Sequence, residues 1–403
     1  MDTVSKVPGV SARRTAVQLA ALSALGPFCI DAYLPSMPDI SRVMNQSLDD
    51  VQGTLTAYMM PFAVMTLWHG ALSDTFGRRR MVVLGLAAFA LASAGCALAS
   101  SLPWLIFFRV FQGATAGVGM VVGRAIVRDL YDGPEAQKLM AMVAIVFAIA
   151  PAIAPIVGGW LQAWFGWRAI FVFMTVYASV LLATIAATLP ETLPRSDRQS
   201  FRPGFLAKSY LTALRHPVFM TACVAIAFAF AGLFLYVLSA PEFLMHHLHV
   251  SATGFLWLFG PLTAGIVVGN VLCARLAGRL SLVRTAAIGC AVMLVCSVAN
   301  VGMNLLMPPR LPWAVIPLFG YMVGMSLVLP TLTIRAIDCF PQQRGLAASC
   351  QSFVQSAGSS VLSAAAPLLW ISSLSLSASQ FAFGLVSAGM LALVPLFARR
   401  GPA

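Results

Sequence analysis

The strongest candidate for a functional residue in this sequence is an aspartate inside a long apolar segment. Asp31 lies within a hydrophobic stretch of about residues 16–37, deeper than any other acidic residue in such a segment. A carboxylate at the centre of a membrane costs roughly 2.5–3.5 kcal/mol on insertion scales, and such residues mark pathways for protons, ions or charged substrates. The position predicts a proton carrier, with a helix-packing carboxylate as the alternative.

Arg109, in the fourth apolar segment, is the predicted partner of Asp31. At 1.5 Å per helical residue, Asp31 would lie about 9 Å and Arg109 about 8 Å below the outer ends of their helices. Similar depths predict a direct or water-mediated pairing of the two charges. The alternative is an arginine whose head group extends outward to the membrane surface.

The composition is that of an integral membrane protein. Of 403 residues, 60% are hydrophobic and 9% are charged, whereas a soluble domain carries roughly 25% charged residues. The net charge of +12 sits in short segments between apolar runs, without the basic, aromatic-rich surface that binds nucleic acid. No lysine follows a glycine-rich phosphate loop, which argues against an ATP-driven pump. We expect no enzyme activity, because no set of nucleophile, acid–base and metal groups is evident.

Twelve segments are long and apolar enough to span a membrane as helices, which needs about 20 residues. They lie at about residues 15–37, 51–71, 81–101, 104–127, 138–162, 168–189, 217–240, 253–274, 283–306, 312–334, 344–370 and 377–398. A polar connection separates two groups of six. The sequence therefore predicts an all-α membrane protein of two pseudo-symmetric six-helix bundles, residues 1–190 and 217–403, joined by a cytoplasmic linker over residues 191–216.

The basic residues predict the orientation in the membrane. With the N-terminus in the cytoplasm, 20 of the 25 lysines and arginines fall on the cytoplasmic side and three, Arg42, Arg168 and Arg310, fall outside. The remaining two, Arg109 and Arg124, lie within the fourth span. Because cytoplasmic loops of membrane proteins are enriched in lysine and arginine, both termini are predicted to be cytoplasmic.

A glycine and arginine pattern follows the second span. It reads Gly70-Ala-Leu-Ser-Asp74-Thr-Phe-Gly77-Arg78-Arg79-Arg80. Gly77 permits a turn with positive φ, and Asp74 would accept charge-assisted bonds or cap a helix N-terminus. Together with a charged pair near the inner end of the fourth span, these residues predict a cytoplasmic gate. Its members are Gly70, Asp74, Gly77, Arg78, Arg79, Arg128 and Asp129.

The fifth span carries prolines and small residues at regular spacing. Prolines remove helix hydrogen bonds and small residues admit a close neighbour, so a bent, tightly packed helix is predicted. The residues are Ala150, Pro151, Ala154, Pro155, Gly158 and Gly159.

These patterns resemble signatures of the major facilitator superfamily. The loop pattern is similar to G-x-L-x-D-R-x-G-R-R/K, with Thr75 where arginine is usual, and residues 105–113 are similar to L-x-x-x-R-x-x-Q-G. The fifth span resembles the antiporter motif G-x-x-x-G-P-x-x-G-G, with alanine at 150 and 154. Within the superfamily, residues 30–38, 124–131, 154–160 and 190–193 are similar to the bicyclomycin/chloramphenicol-resistance group of drug:proton antiporters.

The resemblance implies a multi-pass transporter of the bacterial inner membrane that exports small hydrophobic drugs in exchange for protons by alternating access. The proton gradient would supply the energy without a cofactor, and a monomer would suffice. Asp31 and Arg109 would couple transport to protons. Aromatic, methionine and amide side chains would line the central cavity, with the candidates Tyr33, Tyr58, Phe62, Met65, Gln112, Phe147, Tyr236 and Tyr321.

Two alternatives remain open at this level. A transporter of the same fold could carry a natural metabolite such as a nucleoside or a sugar, coupled to protons by symport. Separately, His246, His247 and His249 lie near Glu242 in an external loop, but their spacing is poor for a metal site. A solvated loop without a metal is the favoured interpretation.

Overall fold

The chain is almost entirely helical in this computed structural model, which describes residues 12–131, 133–198, 201, 203–251, 253–277, 279–341 and 343–398. Within these ranges no β-strand is present. The chain divides into two compact units, Met1–Arg202 and Pro203–Ala403.

The first unit contains eight α-helices in its described part. They are α1 (Ala12–Asp31), α2 (Met37–Met44), α3 (Leu48–Phe76), α4 (Arg78–Leu98), α5 (Leu102–Ala116), α6 (Val118–Leu130), α7 (Gly133–Phe165) and α8 (Arg168–Thr188). Short 3₁₀ turns occur at Leu34–Ser36 and Arg195–Asp197.

The second unit contains seven α-helices in its described part. They are α9 (Pro203–Arg215), α10 (Pro217–Leu238), α11 (Leu256–Leu276), α12 (Leu282–Leu306), α13 (Ile316–Asp338), α14 (Arg344–Leu369) and α15 (Ser373–Ala398). A π-helical turn follows α10 at Glu242–His247, and a 3₁₀ turn precedes α13 at Trp313–Val315.

The predicted all-α membrane fold is confirmed. Ten of the twelve predicted segments each coincide with a long helix, while the first covers α1, a 3₁₀ turn and the start of α2, and the fourth covers the consecutive helices α5 and α6. Among the described residues, nine helical stretches are long and apolar enough to cross a membrane. The number of spans and the cytoplasmic placement of both termini stay predictions.

The first predicted span is not one continuous helix, although a candidate membrane-spanning stretch covers Arg14–Met44. We expected a helix over residues 15–37, but α1 ends at Asp31 and the chain continues into a 3₁₀ turn and then α2. Pro35 and Pro38 each lie in the first turn of these new segments, where the missing N–H of proline costs no hydrogen bond. Asp31 is therefore the last residue of α1 rather than a residue in the middle of a longer helix.

Close backbone contacts at glycines hold the helices of the first unit together. A Cβ on Gly113 of α5 would lie 1.9 Å from the carbonyl oxygen of Tyr58 on α3. A Cβ on Gly158 of α7 would lie 2.0 Å from the carbonyl oxygen of Ala32, directly after α1. Neither contact leaves room for a side chain, so these glycines set the spacing between the helices.

The second unit combines a similar glycine contact with a buried polar cluster. A Cβ on Gly289 of α12 would lie 2.7 Å from the carbonyl oxygen of Gly324 on α13. The amide of Asn300 donates to Tyr236 Oη at 2.8 Å and to Gln380 Oε1 at 3.0 Å. These bonds join α10, α12 and α15 through groups that lipid could not satisfy.

Candidate functional site

Asp31 is buried at the end of α1. Asp31 is 4% exposed. The helical hydrogen bonding of α1 continues past it, since the backbone N–H of Ala32 donates to the carbonyl oxygen of Phe28 at 3.0 Å. Among the described residues, no ion pair or hydrogen bond of the Asp31 carboxyl group is found. The predicted direct pairing with Arg109 is thus not formed in this structure, although both groups lie in the same unit.

Arg109 is completely buried and is bonded to uncharged groups. Its Nη1 donates to Gln112 Oε1 at 2.8 Å and to Cys29 Sγ at 3.3 Å, and its Nε donates to the carbonyl oxygen of Thr54 at 3.5 Å. Its Nη2 has no hydrogen-bond partner among the described residues. The guanidinium group therefore keeps its Nη2 unbonded and is fully enclosed by protein.

Three aromatic rings enclose the Arg109 guanidinium group. Its Cζ lies 4.5 Å from the ring centroid of Tyr58, 4.7 Å from that of Tyr33 and 6.0 Å from that of Phe171. Cation–π contacts of this kind contribute about 2 kcal/mol or more when the cation is desolvated. The rings help to stabilise a buried positive charge that has no carboxylate beside it.

Cys29 connects the two charged residues. It lies two residues before Asp31 on α1, accepts a hydrogen bond from Arg109, and is within electrostatic range of both charges. Tyr58 on α3 is also within electrostatic range of both. Cys29 and Tyr58 therefore lie near both Asp31 and Arg109, which do not contact each other.

The antiporter-like helix α7 packs against the end of α1. Gly158 contacts the backbone at Ala32, one residue after Asp31, and Ala150, Ala154, Pro155 and Gly159 of the same motif are buried while Pro151 is half-buried. Beyond this contact, Ser36 Oγ donates to Gln162 Oε1 at 2.7 Å. The structure therefore brings the predicted motif and the predicted proton carrier together.

Most of the predicted cavity residues lie inside one unit or the other. Tyr33, Tyr58, Gln112, Tyr236 and Tyr321 are each at most 1% exposed. Their polar atoms are bonded: Tyr58 Oη, for example, donates to the carbonyl oxygen of Gly26 at 3.0 Å, and Tyr321 Oη donates to that of Ala229 at 3.0 Å.

Phe62 and Met65, both on α3, are partly exposed and are the two candidates with free surface. The side chain of Phe147 lies outside those the structure describes. Cavity lining by the whole set stays a prediction.

The predicted gate residues form a charge network centred on Arg78. Its guanidinium group pairs with Asp74 and with Asp129, the latter at 3.2 Å between Nε and Oδ2, and it donates to Ser73 Oγ at 2.6 Å. Asp74 accepts a charge-assisted bond, the first of the two roles predicted for it.

Other gate residues contribute differently. The Nη2 of Arg79 donates to the carbonyl oxygen of Ala186 at 2.6 Å, Gly70 is half-buried and Arg128 is exposed.

Glu191 caps helix α4, a role that sequence reasoning missed. Its Oε1 accepts from the backbone N–H of Arg78 at 2.8 Å. Gly77 has φ of +99°, and a Cβ there would lie 2.4 Å from Glu191 Oε2, so glycine is required both for the backbone and for space. Thr192 adds a bond to Asp129 Oδ2 at 2.9 Å. Residues 190–193 supported the resemblance, but nothing in their spacing showed that they would meet Arg78.

His69 is a second buried group that the sequence analysis did not single out. It is 1% exposed on α3, and its Nδ1 has no hydrogen-bond partner among the described residues. The sequence could have indicated His69 in the same way as Asp31, because both are ionisable residues within an apolar segment.

The histidine loop of the second unit follows α10. His247 Nε2 lies 3.8 Å from Glu242 Oε1, and His247 Nδ1 lies 3.3 Å from Ser373 Oγ. Burial lowers the pKa of His247, while Glu242 acts in the opposite direction. In the described residues, no group of three histidine, cysteine or acidic side chains is placed to hold a metal ion.

Helices of membrane-spanning length in both units, with the buried charged residues Asp31 and Arg109 among them, are typical of a multi-pass membrane transporter. The sequence profile described as Major Facilitator Superfamily matches residues 19–363, and the chain belongs to this superfamily of transporters.

Several relatives carry the names that the resemblance predicted. The chain is 30% identical over 325 residues to the "Uncharacterized MFS-type transporter YdgK" of Bacillus subtilis, covering 79% of this chain and 80% of that protein. It is 27% identical to the "Bicyclomycin resistance protein homolog" of Haemophilus influenzae, over 54% of this chain and 55% of the relative. It is 29% identical to the "Chloramphenicol resistance protein" of Pseudomonas aeruginosa, over 66% and 61% of the two chains.

A solved structure shows the same fold. The chain matches the crystal structure of a D-xylose-proton symporter with a TM-score of 0.74 and 16% sequence identity, covering 94% of this chain and 96% of the other. At this identity the likeness concerns the fold alone.

Proposed function

We propose that the protein exports small hydrophobic drugs, either of the chloramphenicol and bicyclomycin kind or of a broader multidrug range, in exchange for protons by alternating access. The observation that carries the proposal is the burial of Asp31 at the end of α1, against the antiporter-like helix α7. Relatives named for bicyclomycin and chloramphenicol resistance support the drug class. The protein acts in the bacterial inner membrane as a monomer, driven by the proton gradient and without a cofactor.

The neighbourhood of Asp31 supports a simple exchange of partners. A protonated Asp31 is neutral and tolerates its apolar surroundings, whereas a deprotonated carboxylate in a membrane requires a partner. Arg109 offers the free Nη2 donor, held in the same unit by the rings of Tyr33 and Tyr58. Proton release from Asp31 therefore favours a rearrangement that pairs it with Arg109, and proton uptake reverses this.

A movement of Asp31 is transmitted to helix α7 through direct contacts. Because α1 ends at Asp31 and the following residues are joined to α7 through Ala32, Gly158, Ser36 and Gln162, a shift of the carboxyl group toward Arg109 moves the contact with α7 as well. If drug release and proton binding require different positions of the end of α1 relative to α7, the two events cannot occur in the same conformation.

The test is Asp31→Asn in proteoliposomes, with chloramphenicol as the first probe compound. Asparagine has the size of aspartate but carries no proton, so we expect loss of transport driven by a pH gradient and retention of drug–drug exchange at zero gradient. Asp49→Asn, the same change at an exposed residue in the first turn of α3, is the matched control and should transport normally. Undiminished pH-driven transport by Asp31→Asn would refute the coupling role.

The direction of transport is a separate result of the same assay. An inward proton gradient should expel the probe from the compartment into which protons flow. Accumulation of a nucleoside or sugar in that compartment, without movement of drugs, would instead establish the metabolite symporter.

A further inference from the structure

A cavity lies beside the start of α4 in the first unit, away from Asp31 and Arg109. Its volume is about 580 Å³, and its walls come from the end of α3, the first two turns of α4 and the segment of residues 191–198 after α8. The cavity is open on one side. It is therefore large enough for a polar head group and accessible from outside the protein.

The walls carry a strong positive charge. Four arginines line the cavity, Arg79, Arg80, Arg195 and Arg198, against one acidic residue, Glu191. Glu191 is already engaged, since it accepts from the backbone N–H of Arg78 and lies 3.6 Å from Arg198 Nη2. The remaining positive charge has no acidic counterpart in the cavity walls that the structure describes.

Two of the four arginines already bind protein groups, and the other two are free to bind a ligand. Arg79 donates to the carbonyl oxygen of Ala186, and Arg198 pairs with Glu191. Arg80 and Arg195 are exposed, and no ion pair or hydrogen bond of their side chains is found among the described residues. Guanidinium groups in this state bind phosphate through two parallel N–H donors.

Apolar surface continues from the basic walls along α4. Val83 and Leu84 lie four residues after Arg79 and Arg80 and so share their helix faces one turn further on, about 6 Å along the axis. Leu84 is 55% exposed and Phe76, at the end of α3, is 45% exposed. The candidate span of α4 begins at Arg78, so we expect the arginines of its first turn at the level of lipid head groups and Val83 and Leu84, one turn further on, at the level of acyl chains.

We propose that this cavity binds the phosphate of an anionic phospholipid, with Arg80 and Arg195 as the principal ligands and with an acyl chain against Val83 and Leu84. Basic pockets at the ends of membrane helices are suited to such head groups. A soluble anion would use the arginines but would leave the apolar surface uncovered, and the structure therefore favours the lipid.

The experiment is native mass spectrometry of the full-length protein, purified in detergent and titrated with phosphatidylglycerol or with phosphatidylcholine of the same acyl chains. We expect tighter binding of phosphatidylglycerol. Each arginine near an anionic head group changes affinity about 5-fold, so Arg80→Gln with Arg195→Gln should weaken phosphatidylglycerol binding on the order of 25-fold and leave phosphatidylcholine unchanged. Each single substitution should weaken phosphatidylglycerol binding about 5-fold.

The matched control removes the same charge elsewhere. Arg284→Gln with Arg310→Gln changes two exposed arginines of the second unit and should bind phosphatidylglycerol as the unmodified protein does. Equal loss in both double variants would overturn the assignment, because it would indicate a general charge effect. Displacement of phosphatidylglycerol by free glycerol phosphate at similar concentration would also overturn it, since the cavity would then be a site for a soluble anion.

Discussion

Gly158→Ala tests the contact between α7 and the chain segment that carries Asp31. An added Cβ would lie 2.0 Å from the carbonyl oxygen of Ala32 and 2.7 Å from its carbonyl carbon, and real Cβ atoms essentially never approach within 3.0 Å. Either α7 or the end of α1 must therefore move by at least about 1 Å. The opposing atoms are backbone, so no side-chain rotation can relieve the clash.

The expected cost follows from two opposing terms. Overpacking typically destabilises a protein by 1–3 kcal/mol. Because the clashing atoms are backbone, we take the upper end of this range, about 3 kcal/mol, for Gly158→Ala. Replacing glycine by alanine within a helix returns about 1 kcal/mol. We expect a net loss of about 2 kcal/mol in stability, together with reduced proton-coupled transport because the position of Asp31 relative to Arg109 changes.

Two measurements check this prediction, a thermal unfolding curve in detergent and pH-driven chloramphenicol transport in proteoliposomes. Gly302→Ala in α12 is the control, since nothing lies within 4 Å of a Cβ there and only the gain in helix propensity should remain. The unfolding midpoint should fall for Gly158→Ala and rise or stay constant for Gly302→Ala. The same midpoint and the same transport rate for both variants would show that the close contact is not required.

Three further predictions concern the gate, the arginine enclosure and the histidine loop. Glu191→Gln should lower the unfolding midpoint, corresponding to about 1 kcal/mol, because the charged acceptor of the Arg78 backbone N–H is replaced by a neutral amide oxygen. Tyr58→Phe should retain most transport activity, whereas Tyr58→Leu should reduce it, because only the former keeps a ring 4.5 Å from Arg109 Cζ. His247→Gln should reduce the loss of thermal stability on acidification below pH 6.5: burial lowers the pKa of His247 from its usual 6.5, so the unfolded chain binds the proton first.

Each of these predictions has an outcome that contradicts it. Glu242→Gln is the control for Glu191→Gln, and equal midpoints for the two would contradict the capping role. Equal activity of Tyr58→Phe and Tyr58→Leu would contradict the contribution of the aromatic ring. An unchanged dependence of the unfolding midpoint on pH in His247→Gln would show that His247 titrates alike in folded and unfolded chains.

Much of the fold could be predicted because the membrane imposes simple rules. Every backbone polar group must be satisfied within its own segment, so apolar runs of sufficient length become helices, and the long helices coincide with the predicted segments. The error at the end of α1 has a local cause. Pro35 and Pro38 were visible in the sequence, but whether a proline bends a helix or begins a new one depends on the packing around it.

The candidate site was predictable in its members and not in its contacts. Asp31 and Arg109 were found because charged residues are rare in apolar segments, and the structure buries both. The bonding of Arg109 to Cys29, Gln112 and Thr54 rather than to Asp31 could not be inferred. Helix depth fixes only one coordinate of a residue, and the rotation of each helix is decided by its neighbours.

By itself the sequence determined the class of protein, its helices and the residues able to carry charge in the membrane, because hydrophobicity and the cost of a buried charge are local properties. The tertiary structure alone decided that α7 contacts the backbone next to Asp31, that Glu191 caps α4 across 113 positions of the chain, and that four arginines from two separate segments share one cavity. These arrangements depend on which helix faces meet, and that is settled by the close packing of the whole unit.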